Sequence, residues 1–83
     1  MAEPRPTDAV VRRFIGHVWE TLEDERLVQG LSQTDVAKRL QRGRTYFTRQ
    51  RKTLMDLRLS TVARYAHTMG KRVIVVLVDE VPE

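Results

Sequence analysis

No cysteine occurs anywhere in the 83 residues, so neither a disulfide nor a thiolate-bound metal can staple the fold. A reducing cytoplasm is compatible with that absence. The three prolines all lie near the ends, which leaves the middle of the chain free to be helical. The opening stretch MAEPRPTDA is polar and lacks the apolar core of a secretory signal. The longest apolar run, Val73 to Val78, is far too short to span a bilayer, so no membrane partner is expected. From Lys38 to Lys52 there is no acidic residue, against seven basic ones: Lys38, Arg39, Arg42, Arg44, Arg49, Arg51 and Lys52. Four carboxylates crowd instead into Glu20–Glu25. With a net charge of +4, one basic face and one acidic end fit a polyanionic ligand better than a uniformly solvated surface does.

A chain this short is one domain, and it buries only about 60–65% of the surface its unfolded form exposes. It can fold alone, and a dimer partner would help. Residues 1–7 read as a flexible arm, with Thr7 or Asp8 able to cap a helix. Val11, Phe14, Ile15, Val18, Trp19 and Leu22 then follow the spacing of an amphipathic stripe, which predicts a helix from about residue 8 to the mid-20s, closed by Gly30. Trp19 falls on that stripe and is expected in the core. Ser32 is a candidate N-cap for a second helix. Asp35 three residues later completes a capping box, and Leu31 and Val36 are placed to form a hydrophobic staple. Val36, Ala37 and Leu40 form the inner face, and the helix stops near residues 41–43. A third short helix spans about Arg44–Lys52, with Phe47 and then Leu54 inward. After a connector at 55–58, a fourth helix opens at Ser60, carries Val62, Tyr65, Ala66 and Met69 inward, and closes at Gly70. Residues 71–79 are dense in β-branched side chains and predict a strand that wants burial on both faces.

Two short helices joined by a tight turn, the second one basic, have the layout of a helix-turn-helix. The run from Leu31 to Leu40 (Leu-Ser-Gln, two variable residues, Val36, Ala37, two more residues, Leu40) resembles the opening of the Xre/Cro/lambda-repressor type of helix-turn-helix. Phe47 falls where that family puts the apolar residue of its recognition helix. Leu59–Gly70 resembles the helix that follows, as in the HigA type of antitoxin. The resemblance covers about residues 10–70. There are departures. Gln41 and Arg42 stand where members often have glycine and an aliphatic residue, and the glycine comes two residues later, at Gly43. Gln50 replaces an apolar residue, and Arg51 a frequent acidic one.

The resemblance implies a lambda-repressor-like, all-α four-helix domain over residues 8–70 that inserts its third helix in the major groove of DNA. Arg44, Thr45, Tyr46 and Arg49 are the expected base readers. Arginine can bind guanine O6 and N7 together, and threonine can meet a thymine methyl. Gln33, Arg42, Arg51 and Lys52 are the expected phosphate contacts, which fix register and supply salt-sensitive affinity. Some of these residues have plainer readings: Tyr46 as a cover for Phe47, Gln33 as a helix-start residue, Arg49 as a solvated side chain.

The lone strand at 71–79 lacks a pairing partner within the chain. Val73, Ile74, Val75, Val76, Leu77 and Val78 are therefore expected to form a homodimer interface across a two-fold axis, with a short tail at 80–83. His17 and His67 have no metal-ligand spacing, so no metal is expected. The Glu20–Glu25 cluster lacks a nucleophile or a glycine-rich loop and reads as a solvated end facing away from DNA. No cofactor and no enzymatic activity are expected. The expected function is that of a transcriptional regulator, a repressor of phage Cro or immunity type, binding a double-stranded operator as a homodimer in the cytoplasm, on the nucleoid. The alternatives are an antitoxin that neutralises a toxin protein and autoregulates its operon, and a non-specific architectural binder.

Overall fold

The computed structural model describes residues 6–80. Among them are four helices: α1 over Pro6–Val28, α2 over Gln33–Arg39, α3 over Tyr46–Lys52 and α4 over Leu59–Thr68, with a single 3₁₀ turn, Leu54–Asp56, between the last two. The all-helical expectation holds. α1 starts earlier than its periodicity predicts, because proline's fixed φ suits the first helical position. The expected arm at 1–7 thus yields its last two residues to the helix. The rest of that arm, and residues 81–83 of the expected tail, lie outside the described residues.

The first, second and fourth helices end in the same hydrogen-bond pattern. After α1, the amide of Leu31 donates to the carbonyl of Arg26 and that of Gly30 to Leu27, both at 3.0 Å. After α4, Lys71 donates to Ala66 at 2.9 Å and Gly70 to His67 at 3.0 Å. After α2, Arg42 donates to Ala37 at 2.8 Å and Gln41 to Lys38 at 2.9 Å. Each is a Schellman closure, which needs a left-handed residue just past the helix. Gly30 and Gly70 supply it at φ +71° and +70°, whereas the third is Gln41, at φ 58°. The turn therefore takes its left-handed residue at Gln41, and Gly43 plays no such part. A side chain in that conformation costs about 1–2 kcal/mol, offset in part by glycine's extra entropy cost of about 0.5–1 kcal/mol. Gln41→Gly is thus expected to stabilise the fold by roughly 0.5–1 kcal/mol and to raise Tm by about 4 °C. Thermal denaturation checks this; a lower Tm would show that the Gln41 side chain contributes more than its backbone costs.

The core is aromatic. Trp19 of α1, Phe47 of α3 and Tyr65 of α4 form a triangle with ring centroids 5.5 to 5.9 Å apart, two of the three pairs edge-to-face. Leu22, Val36, Ala37, Val62, Ala66 and Met69 complete it. Four expectations need correction. The N-terminal half of the α1 stripe is bare, Phe14 being 58% exposed and Val10 and Val11 exposed as well. α1 has 23 residues, a rod of about 34 Å, and the short α4 cannot cover its length. α3 starts at Tyr46, with Thr45 at its cap position making no side-chain cap bond. α4 starts at Leu59, with Arg58 at the cap position and Ser60 inside the first turn; the half-buried Leu57, packed against the core, sets where the chain turns. Finally, the strand expected over 71–79 is not present among the described residues. Residues 71–80 carry no regular structure and are exposed, Leu77 to 94%. A ladder needs a second strand, and one chain holds no other.

Candidate nucleic-acid interface

α2 is fixed at both ends. The Ser32 hydroxyl accepts from the amide of Asp35 at 3.0 Å, and the Asp35 carboxylate accepts from the amide of Ser32 at 2.9 Å, the capping box the sequence predicts. The box holds the Asp35 carboxyl below its ordinary range. At the other end the Arg39 guanidinium donates to the carbonyl of Thr68 at 2.7 Å, tying α2 to α4. Val36 is fully buried and Ala37 nearly so.

The acidic cluster of α1 is not simply a solvated end. Glu23 is the hub of a polar network that joins three helices. Its carboxylate accepts from the Arg26 guanidinium at 3.0 Å, the Tyr65 hydroxyl at 2.5 Å and the Gln33 amide at 3.3 Å. Arg26, itself only 8% exposed, also donates to the carbonyl of Leu31 at 2.8 Å. Burial alone would push the Glu23 carboxyl up, but the donors from Arg26, Tyr65 and Gln33 outweigh it and hold it below its ordinary value. Burial, reinforced by Glu23, pushes the Tyr65 phenol well up. The network sets the start of α2 against α1 and α4. It also engages one hydrogen of the Gln33 amide nitrogen, leaving the second for another acceptor.

α3 is anchored by one side and bare on the other. Phe47 is buried, and Tyr46 and Gln50 are half-buried. Thr45, Thr48, Arg49 and Lys52 are exposed at the spacing i, i+3, i+4, i+7, which puts them in one stripe. Arg44 leads into that stripe on the turn, and Arg51 flanks it on the side away from Tyr46. Between described residues, Arg26 pairs with Glu23 at 3.0 Å and Lys71 with Glu25 at 3.2 Å. Arg42, Arg44, Arg49, Arg51 and Lys52 make no such pair, so the stripe and its flanks carry uncompensated positive charge.

The structure thus brings Thr45, Arg49 and Lys52 together on one face, with Arg44 exposed in the turn just before it. Tyr46 instead turns toward α4, its ring edge-to-face on Phe47 with centroids 5.4 Å apart. Burial pushes its phenol up, against the opposing charges of Arg42 and Arg64 and the Thr61 hydroxyl. That placement favours its reading as a cover for Phe47. Thr48 belongs to the exposed stripe and escaped the sequence reading, although its spacing from Thr45 and Lys52 carries the signal. Arg58 and Arg64, which line a cleft beside α3 with Arg42, had no local signal at all. No helix among the described residues is long and apolar enough to cross a membrane. Nor does any group of three or more His, Cys, Asp or Glu among them stand ready to hold a metal. No family model matches the chain, and no curated protein or solved structure is significantly similar to it.

Proposed function

We propose that the chain is a sequence-specific DNA-binding regulator of transcription, which sets α3 into the major groove of an operator and acts as a homodimer. The observation that carries this reading is the stripe Thr45, Thr48, Arg49 and Lys52, exposed and free of carboxylate partners on a helix whose other side is locked by Phe47. A short helix anchored on one side and cationic on the other suits a groove that displays a distinct donor and acceptor pattern at each base pair. The resemblance of Leu31–Leu40 to the Xre type of helix-turn-helix points the same way. In this reading Arg44, Thr45, Thr48 and Arg49 meet base edges, and Gln33, Arg42, Arg51 and Lys52 meet phosphates. Selecting bound duplexes from a random pool tests it. A two-fold consensus with half-sites about 34 Å apart, or a multiple of that, is expected; no enrichment over the starting pool would overturn specific recognition.

The dimer is argued from residues 71–80. Lys71 and Arg72 precede the apolar run and Asp79 and Glu80 follow it, so an antiparallel pair sets cations against carboxylates, whereas a parallel pair sets like against like. A two-fold axis through an antiparallel ladder must pass beside one residue and its own mate, which allows centres at Val75 or Val76. Lys71 is already paired with Glu25, which favours the centre at Val76 with Arg72 opposite Glu80 of the second copy. Mates directly opposite lie about 4.5–5.5 Å apart, within disulfide range. Val76→Cys, in a chain with no other cysteine, is expected to cross-link on mild oxidation faster than Val75→Cys or Leu77→Cys. The reverse order, or a monomeric mass at micromolar concentration, would remove this interface.

The exposed apolar run also favours a second reading, an antitoxin whose 71–79 segment extends a toxin's sheet. Co-purification with a small protein that buries this segment, and loss of the complex on Val76→Asp without loss of DNA binding, would support that alternative.

A further inference from the structure

Beside the exposed stripe of α3 lies a cleft of about 650 Å³ between the α2–α3 turn, the flank of α3 and the front of α4. Arg42 comes to it from the turn, Arg58 from the connector and Arg64 from α4, with Tyr46, Thr61 and Asp56 also at its wall. We propose that this cleft is a seat for a phosphate group. Three arginines line it, from the α2–α3 turn, from the cap position of α4 and from α4 itself, and none of them forms an ion pair, Asp56 included. Planar guanidinium forks match phosphate oxygens two at a time, and the Tyr46 hydroxyl, which accepts from Thr61, adds one neutral donor. Arginines placed only for solubility have no reason to face one hollow.

The source of the phosphate follows from position. Tyr46 and Gln50 of α3 and Thr53 at its C-terminal cap stand one residue on from Thr45, Arg49 and Lys52, about 100° further round the helix. A duplex that accepts the stripe in its groove therefore lays one strand's backbone along the cleft, while Arg51 faces the other strand. This part rests on the DNA-binding reading. A free phosphorylated compound has the same chemistry and is the other source.

The test uses the full chain, wild type and Arg58→Gln/Arg64→Gln, both positions being exposed and unpaired so that Tm should hold within a few degrees. Affinity for a selected duplex and for a random duplex is measured against salt. Separately, pyrophosphate is titrated without DNA while the arginine Nε–H resonances are followed. The backbone source predicts a loss of about tenfold, alike on both duplexes, and a salt slope smaller by about 1. Unchanged duplex binding with pyrophosphate shifts at Arg58 and Arg64 would keep the seat and assign it to a small phosphorylated compound. Failure of the wild type to bind any duplex, with those shifts present, would remove the DNA-binding reading and leave the seat. No change in duplex binding together with silent arginine resonances would overturn the seat and leave the DNA-binding reading intact.

Discussion

Glu23→Ala is expected to lower Tm by roughly 10–30 °C. The change strips the Arg26 guanidinium of its ion pair, the fully buried Tyr65 hydroxyl of its acceptor and the Gln33 amide of its partner. Breaking a largely buried pair from one side costs about 2–4 kcal/mol once the partial exposure of Glu23 is allowed for, and each kcal/mol moves Tm by about 4–8 °C in a domain of this size. Glu20→Ala, at an exposed position on the same helix, should stay within about 0.5 kcal/mol of wild type. The effect has a pH signature. The Glu23 carboxyl is held below its ordinary value of 4.5 in the folded chain, so its contribution is complete above that value and is lost as pH falls through the folded one. Urea denaturation of wild type and Glu23→Ala should therefore show a gap at pH 7 that narrows in strong acid. A gap of under 1 kcal/mol at pH 7, or one that persists unchanged in acid, would refute the network's role.

Arg49→Ala is expected to weaken binding to the selected duplex by about 10- to 100-fold, since a bidentate arginine–guanine contact supplies about 1–3 kcal/mol of discrimination. Binding to random duplex should change far less. Arg49 is exposed and its side chain holds nothing in the fold; only its backbone is used, the amide donating to Thr45 at 2.9 Å and the carbonyl accepting from the amide and hydroxyl of Thr53 at 3.2 and 3.1 Å. The loss would therefore come from the interface and not from unfolding. Lys52→Ala serves as the contrast: a phosphate contact should weaken both duplexes alike and reduce the salt slope by about 0.9. Fluorescence anisotropy on the two duplexes reads both variants. Equal losses on the two for Arg49→Ala would demote Arg49 from base reader to phosphate contact.

The parts of the fold that local chemistry decides are legible along the chain. The Ser32–Asp35 capping box and the closures at Gly30 and Gly70 involve residues within five positions of one another. The inward positions Trp19, Phe47, Val62 and Tyr65 follow from helical spacing alone. What stayed hidden depends on distant partners. Glu23 looks like one more surface carboxylate until Tyr65, 42 residues later, comes to rest on it. The left-handed backbone at Gln41 is a cost imposed by docking α2 against α3, contrary to that residue's own preference. Tyr46 sits a single position from the exposed stripe, and only the placement of α4 decides that it turns inward. The bare end of α1 and the unpaired run 73–78 read as core in sequence because periodicity and β-branching report a wish for burial, without reporting whether one chain can satisfy it.

The most direct test is a map of amide and Arg49 Nε–H resonances of the labelled protein as a selected duplex is added. The helix-turn-helix reading predicts the largest shifts over residues 44–52, smaller ones at Gln33 and Arg42, and little change along residues 10–20 of α1. Shifts gathered instead at residues 71–80 and on α1, with the stripe of α3 silent, would contradict it.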